Sequence, residues 1–180
     1  MESMFVALLR GINVSGQKKI KMADLRAVLE GVGLQNVQTY IQSGNVVFES
    51  KEQDKSKLEQ LIFNTIQKQF GFEVPTLTLR AKEIDAIIKS NPFLGKEEEN
   101  KLYFVLLKQK PSTDVTSEFN QLKYVHEDFQ VSDNCVYLLC KNGYGNAKLN
   151  NNLIEKKLKV EATTRNLKTM QKLLEMTQTM

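Results

Sequence analysis

An α+β fold, α/β sandwich-like and built from two similar halves, is predicted for this chain by three observations. Apolar strands alternate with amphipathic helices, the order of elements in the first half recurs in the second, and a final amphipathic helix closes the chain. The composition agrees: 180 residues at 41% hydrophobic and 26% charged suffice for one domain or two small ones, and disorder or a fibrous fold is excluded.

The segment "MFVALLR" is apolar almost throughout, as expected of a central strand covered on both faces. Met22, Leu25, Val28, Leu29 and Val32 then recur at helical spacing, with Gly33 as a C-terminal cap. "VQTYIQ" and "NVVFES" flank Ser43 and Gly44 as a hairpin. Leu58, Leu61, Ile62, Thr65, Ile66 and Gln69 mark a second helix ending near Gly71, and "VPTLTLR" follows as a strand whose Pro75 indicates an edge or a strand start. Strand-helix-strand-strand-helix-strand is the order of a ferredoxin-like unit. A third helix carrying Ile84, Ile87 and Ile88 ends before Pro92. Gly95 and the acidic run at Glu97, Glu98 and Glu99 read as a linker, which divides the chain into halves 1–92 and 93–180.

The second half repeats this pattern. "LYFVLLK" echoes "MFVALLR", and an amphipathic segment through Val115, Phe119 and Leu122 takes the first-helix position. "VHEDFQV" and "CVYLLC" flank Ser132, Asp133 and Asn134 as a second hairpin, and a helix carrying Leu149, Leu153, Ile154 and Leu158 follows. Leu167, Met170, Leu173 and Leu174 define the terminal helix. The prediction is therefore two ferredoxin-like βαββα(β) halves, an internal duplication of pattern with few identities, plus a C-terminal helix.

Several function classes are disfavoured. The apolar runs "FVALL" and "YFVLL" fall far short of the roughly 18 residues of a membrane helix. No signal peptide is visible, because Met1, Glu2 and Ser3 lack a basic start and the following apolar run stops at Arg10; a cytoplasmic location without membrane partners is expected. Cys135 and Cys140 on one strand point to opposite faces, so they form no disulfide with each other and fit a reducing compartment. His126 is the single histidine, which leaves no two-histidine metal site, no H-E-x-x-H and no Cys-His relay; it reads as a surface residue, and no metal or cofactor is expected. A net charge of +4 permits anionic partners without demanding them.

Three stretches have the character of anion sites. In "LLRGINVSGQKKIKM" a strand leads through a glycine-containing loop to a helix N-terminus, with Lys18, Lys19 and Lys21 at the positive end of the helix dipole, where a bound anion would offset them. The competing reading is a solvated basic turn. In "KNGYGNAKLN" Gly143 and Gly145 permit close approach to a phosphate and Lys148 stands just inside a helix, although the spacing matches neither the dinucleotide fingerprint nor the P-loop and a plain loop is the simpler reading. In "ATTRN" Thr163 or Thr164 is expected to cap the terminal helix, leaving Arg165 and Asn166 for recognition. Ser43, Gly44 and Asn45 read first as a tight hairpin whose side chains can also face a ligand.

Taken together, "FVALLRGINVSGQKKIKMADLRAVLEGVGLQNVQTYIQSGNVVF", "NPF" and the tail "KLNNNLIEKKLKVEATTRNLKTMQKL" resemble the bacterial family called domain of unknown function 1697 over nearly the whole chain. The resemblance implies an α/β protein with ferredoxin-like halves and no established activity. It places family motif positions at Arg10, Gly11, Asn13, Gly16, Lys21, Met22, Leu25, Tyr40, Ser43, Gly44, Asn45, Lys148, Leu149, Thr164, Arg165 and Asn166. Ser15 stands where the family commonly has glycine, and Leu167 where it commonly has tryptophan.

The leading expectation is a binding module for a phosphorylated small molecule or nucleotide. Its candidate ligand residues are Arg10, Gly11, Asn13, Lys21, Ser43, Gly44, Asn45, Lys148, Thr164, Arg165 and Asn166, with Arg10, Asn13, Lys21, Asn45 and Arg165 converging on the anion. Three alternatives stand beside it. One is an enzyme acting on such a ligand through Lys21 or Asp24. Another is nucleic-acid binding through the Lys18 to Lys21 face and the "EKKLK" helix. The last is a non-catalytic oligomerisation or interaction protein.

Overall fold

Strand β1 (Ser3–Leu9) has no exposed residue, and its last five are fully buried, as its unbroken apolar run requires. In the computed structural model, which describes residues 2–179, it is followed by α1 (Met22–Gly31), β2 (Gln35–Tyr40), β3 (Asn45–Ser50), α2 (Lys55–Phe70), β4 (Thr76–Arg80) and α3 (Ala81–Lys89). The four strands form one antiparallel sheet in the order β2-β3-β1-β4, which puts the most apolar strand second from one edge. Phe5, Ala7, Leu9, Val46 and Phe48 project from one face of it onto Leu25 and Leu29 of α1 and Leu58, Ile62 and Ile66 of α2. Each such side chain contributes about 1.5–3 kcal/mol on burial. Asp54 caps α2 by accepting from the Ser56 N–H at 2.9 Å, and Gly71 ends it in the left-handed conformation.

The second sheet is built alike from β5 (Leu102–Leu107), β6 (Glu127–Val131), β7 (Cys135–Cys140) and β8 (Ala162–Asn166), ordered β6-β7-β5-β8, with α4 (Thr113–Phe119) and α5 (Asn151–Leu158) packed on one face. Helix α6 (Leu167–Thr179) closes the chain. The two halves match in detail. The Leu9 N–H donates to Gly44 O at 2.7 Å and the Leu107 N–H to Asn134 O at 2.9 Å. The next residues, Arg10 and Lys108, donate to Pro75 O and Glu161 O at 3.0 and 2.9 Å. The same order and the same closing bonds in both sheets are what a duplicated ferredoxin-like βαββαβ unit gives.

A helix glutamate also serves the outer edge of each sheet. Glu59 of α2 accepts from the Thr78 N–H on β4, and Glu155 of α5 accepts from the Ala162 N–H on β8, both at 2.8 Å. Each bond removes an amide from an edge that could otherwise pair with another strand.

One difference from the sequence reading stands out. "ATTRN" is a strand, β8, so Thr163 and Thr164 do not cap α6. Asn166 does, accepting from the Thr169 N–H at 2.8 Å. The β-branched pair satisfies a ladder against β5 instead, which local cap preference cannot reveal. The chain forms two compact units, Met1–Asp85 with Lys172–Met180, and Ala86–Gln171. Among the described residues no helix is long and apolar enough to cross a membrane.

Candidate functional site

Matching scaffolds make the differences between the units informative. The connection from β1 to α1 runs from Arg10 to Lys21, twelve residues, whereas its counterpart from β5 to α4 runs only from Lys108 to Ser112, five. The reverse holds for the connection from the third strand to the second helix. It is four residues, Lys51 to Asp54, in the first unit and ten, Lys141 to Asn150, in the second. Each unit thus carries one expanded loop, and binding groups concentrate on such loops.

In the first unit the loop is wound tightly. Gly11, Asn13, Ser15, Gly16 and Lys18 all have φ between +46° and +76°. Ser15 thus adopts a left-handed conformation that glycine takes without strain. Asn13 holds the winding in place: its amide donates to Ile20 O at 3.0 Å and Gln42 O at 2.8 Å, and its Oδ1 accepts from the Ile20 N–H at 2.9 Å. Lys18 reaches Glu73 O at 2.6 Å. Asn13 and Lys18 are therefore fasteners of the loop.

Lys19 and Lys21 are exposed at its end. Whereas Asp54 and Asn150 cap α2 and α5 through side-chain oxygens, the N-cap of α1 is Lys21, which has only donors. The first-turn amides of α1 receive no side-chain cap and stand at the positive end of the helix dipole. Beside them lies a concavity of about 600 Å³ whose lining includes Gly16, Lys19, Lys21, Asp24, Gln42 and Phe70. Asp24, exposed in the first turn, is the one acidic group on this wall.

Ser43, Gly44 and Asn45 form the turn that the loop is pinned against. Gly44 has φ +87°, and a Cβ there would lie 2.6 Å from Leu9 Cβ and 2.8 Å from Leu9 O, so only glycine fits. Asn45 is fully buried and donates to Tyr40 O at 3.1 Å and Ser43 Oγ at 3.0 Å. Arg10, half-buried, stands at the end of β1 with its backbone in the β4 connection, and Gly11 is exposed.

Lys148, Thr164, Arg165 and Asn166 belong to the second unit. Thr164 Oγ1 donates to Asn151 Oδ1 at 2.9 Å and accepts from the Tyr144 hydroxyl at 3.3 Å. That hydroxyl in turn accepts from the Asn151 N–H at 2.9 Å, while the Tyr144 ring stacks on Tyr103 at 4.9 Å. This closed network ties β8 to the start of α5. Arg165 donates to Thr163 Oγ1 at 2.9 Å and Thr164 O at 2.8 Å, and burial pulls its pKa down to about 10, so it keeps its charge at neutral pH. Asn166 is the α6 cap. Lys148 precedes α5 by three residues instead of lying inside it. Its backbone N–H is held by the Glu127 carboxylate, and its side chain is exposed.

In the second unit the "KNGYGNAKLN" loop forms one wall of a concavity of about 430 Å³, whose other wall, Lys123 to Glu127, has no signal in the sequence. It is lined by Lys123, His126, Glu127, Asn142, Asn146 and Lys148 among others. Sequence reading treats His126 as an isolated surface residue, because only the β6–β7 hairpin brings it beside a lysine so far along the chain. Cys140, on the neighbouring strand, is pushed up to about 11 by burial and by the Glu127 charge.

Comparison with known proteins accords with this architecture. No curated protein matches the chain significantly. Among solved structures, the conserved bacterial protein SP0830 from Streptococcus pneumoniae is similar over 99% of each chain, with a TM-score of 0.76 and 24% sequence identity, a likeness of fold. The profile described as "Protein of unknown function (DUF1697)" matches residues 2–137, and the chain belongs to that family of uncharacterised bacterial proteins.

Proposed function

We propose that the chain is a binding module for a phosphorylated small molecule or nucleotide, whose anionic group sits at the expanded loop ahead of α1. The observation that carries this reading is the cation-bearing concavity at the uncapped start of α1. Lys19 and Lys21 stand there beside amides that lack a side-chain acceptor, on a loop fixed in shape by Asn13. An anion is the partner such a terminus favours, and a prewound loop loses little entropy on binding it. The volume lies within the range of small-ligand clefts, and Phe70 gives the wall an apolar patch for the rest of the molecule. The buried free thiols of Cys135 and Cys140 fit a reducing compartment, and we place the protein in the cytoplasm on that ground.

The test is thermal unfolding of the full chain against a panel of phosphate esters and nucleotides, with a Lys19→Gln/Lys21→Gln double variant alongside. At a hundredfold excess over Kd a specific ligand stabilises the native state by about 2.7 kcal/mol. For a chain of this size that is a rise in Tm of roughly 5–10 °C. The double variant is expected to lose most of it. A panel without any rise, or a rise that the double variant keeps, overturns the reading.

A further inference from the structure

We infer that the second unit carries a separate site for a small phosphate-bearing ligand, formed by Lys123, His126 and Lys148 around the expanded loop between β7 and α5. This goes beyond the reading above and does not depend on it, since the residues belong to the other unit.

The three side chains are exposed and line one concavity of about 430 Å³, the size of a small-ligand cleft. They come from two segments brought together by the hairpin, Lys123 and His126 ahead of β6 and Lys148 beyond β7. The two ammonium groups around one small space, Lys123 and Lys148, repel one another, and a dianion relieves that repulsion. Two ammonium groups and an imidazole suit the tetrahedral, many-sided acceptor set of a phosphate better than the planar fork of a carboxylate, which favours arginine.

The opposing charge is largely withdrawn. Glu127, the single acidic residue of the lining, is 7% exposed, and its carboxylate accepts the Lys148 backbone N–H. That bond fastens the loop to β6 and sets Lys148 on the rim. Gly143, at φ +82° with open space where a Cβ would be, lets the loop backbone approach a ligand, and Asn142 and Asn146 supply amides beside it. The charged and titratable groups around the imidazole are Lys123, Tyr124, Glu127 and Lys148 on the same wall. The Asp128–Lys141 ion pair, at 3.0 Å, lies on the adjoining strand ends, where the Lys141 N–H donates to His126 O.

Because His126 is the only histidine, its ring resonances report on this site without assignment by mutation. The full chain is titrated with inorganic phosphate and with pyrophosphate at constant ionic strength and pH 8, with chloride as the control. The expected result is a saturable movement of the ring signals as the phosphate seats beside the imidazole. Lys148→Gln, which leaves the backbone bond to Glu127 in place, is expected to weaken binding about tenfold or more, the loss of one charged hydrogen bond. Lys21→Gln is expected to leave it unchanged. The inference is overturned by ring signals that move no more than in chloride, by equal affinity in Lys148→Gln, or by a response that Lys21→Gln abolishes.

Discussion

Replacing Gly44 by alanine isolates the turn that shapes the loop of the first unit. The new Cβ would stand 2.6 Å from Leu9 Cβ, 2.8 Å from Leu9 O and 3.2 Å from Ile12 Cδ1, and all three belong to buried residues with little room to shift. The backbone cannot swing away cheaply, since Gly44 O accepts the Leu9 N–H at 2.7 Å. Two costs therefore add. Holding an alanine in the left-handed region takes about 1–2 kcal/mol, and forcing a methyl into a packed site takes about 1–3 kcal/mol. The expected loss is about 2–5 kcal/mol. Gly11→Ala is the matched control: its φ is +76°, but nothing lies within 4 Å of the added atom, so only the first cost, about 1–2 kcal/mol, applies. Urea unfolding followed by far-ultraviolet circular dichroism, with both variants measured in parallel, gives the difference directly. Equal losses in the two variants, to within about 0.5 kcal/mol, would refute the steric argument.

Further expectations concern the fasteners and the buried thiols. Asn13→Ala leaves the nearly buried Ile20 N–H and two carbonyls without their partner, and a loss of about 1–3 kcal/mol is expected, with faster amide exchange at Ile20 as its local sign. Glu59→Ala and Glu155→Ala each strand an edge amide and are expected to lose a similar amount, about 1–3 kcal/mol, with exchange accelerated at Thr78 in the first and at Ala162 in the second. The Cys140 thiol is raised to about 11 in the native protein and so binds its proton more tightly there than in the unfolded chain. Its contribution to stability is full below about pH 9 and declines towards pH 11, visible as a falling urea midpoint across that window. At pH 8 a thiol reagent is expected to spare Cys135 and Cys140 until urea is added.

The parts of the fold written in local pattern were legible. The apolar run of β1, the helical spacing of α2 and its Gly71 cap, and the placement of β4 after Pro75 at a sheet edge each follow from periodicity and backbone chemistry. β8 did not, because Thr163 and Thr164 satisfy cap and strand preferences alike, and pairing with Leu106 and Val105 of β5 decides between them. The candidate site divided along the same line. Its expanded loops are visible as glycine-containing stretches, and Lys21 at the start of a helix is plain from spacing. Asn13 has the composition of a ligand residue, and its partner Gln42, 29 positions away, is what makes it a fastener. Lys123, His126 and Lys148 share a wall only after the hairpin has formed.

The return of the chain end to the first unit sets a condition on how the protein is made. Residues through Asp85 emerge from the ribosome early, yet Leu173, fully buried, and Met176, nearly so, belong to the unit those residues begin. Until synthesis reaches Lys172, the first unit lacks the last stretch assigned to it, while every residue of the second, Ala86 to Gln171, has already been added. The unit begun first is thus assembled after the other, and deletion from Lys172 onward is expected to destabilise the half encoded farthest from the cut.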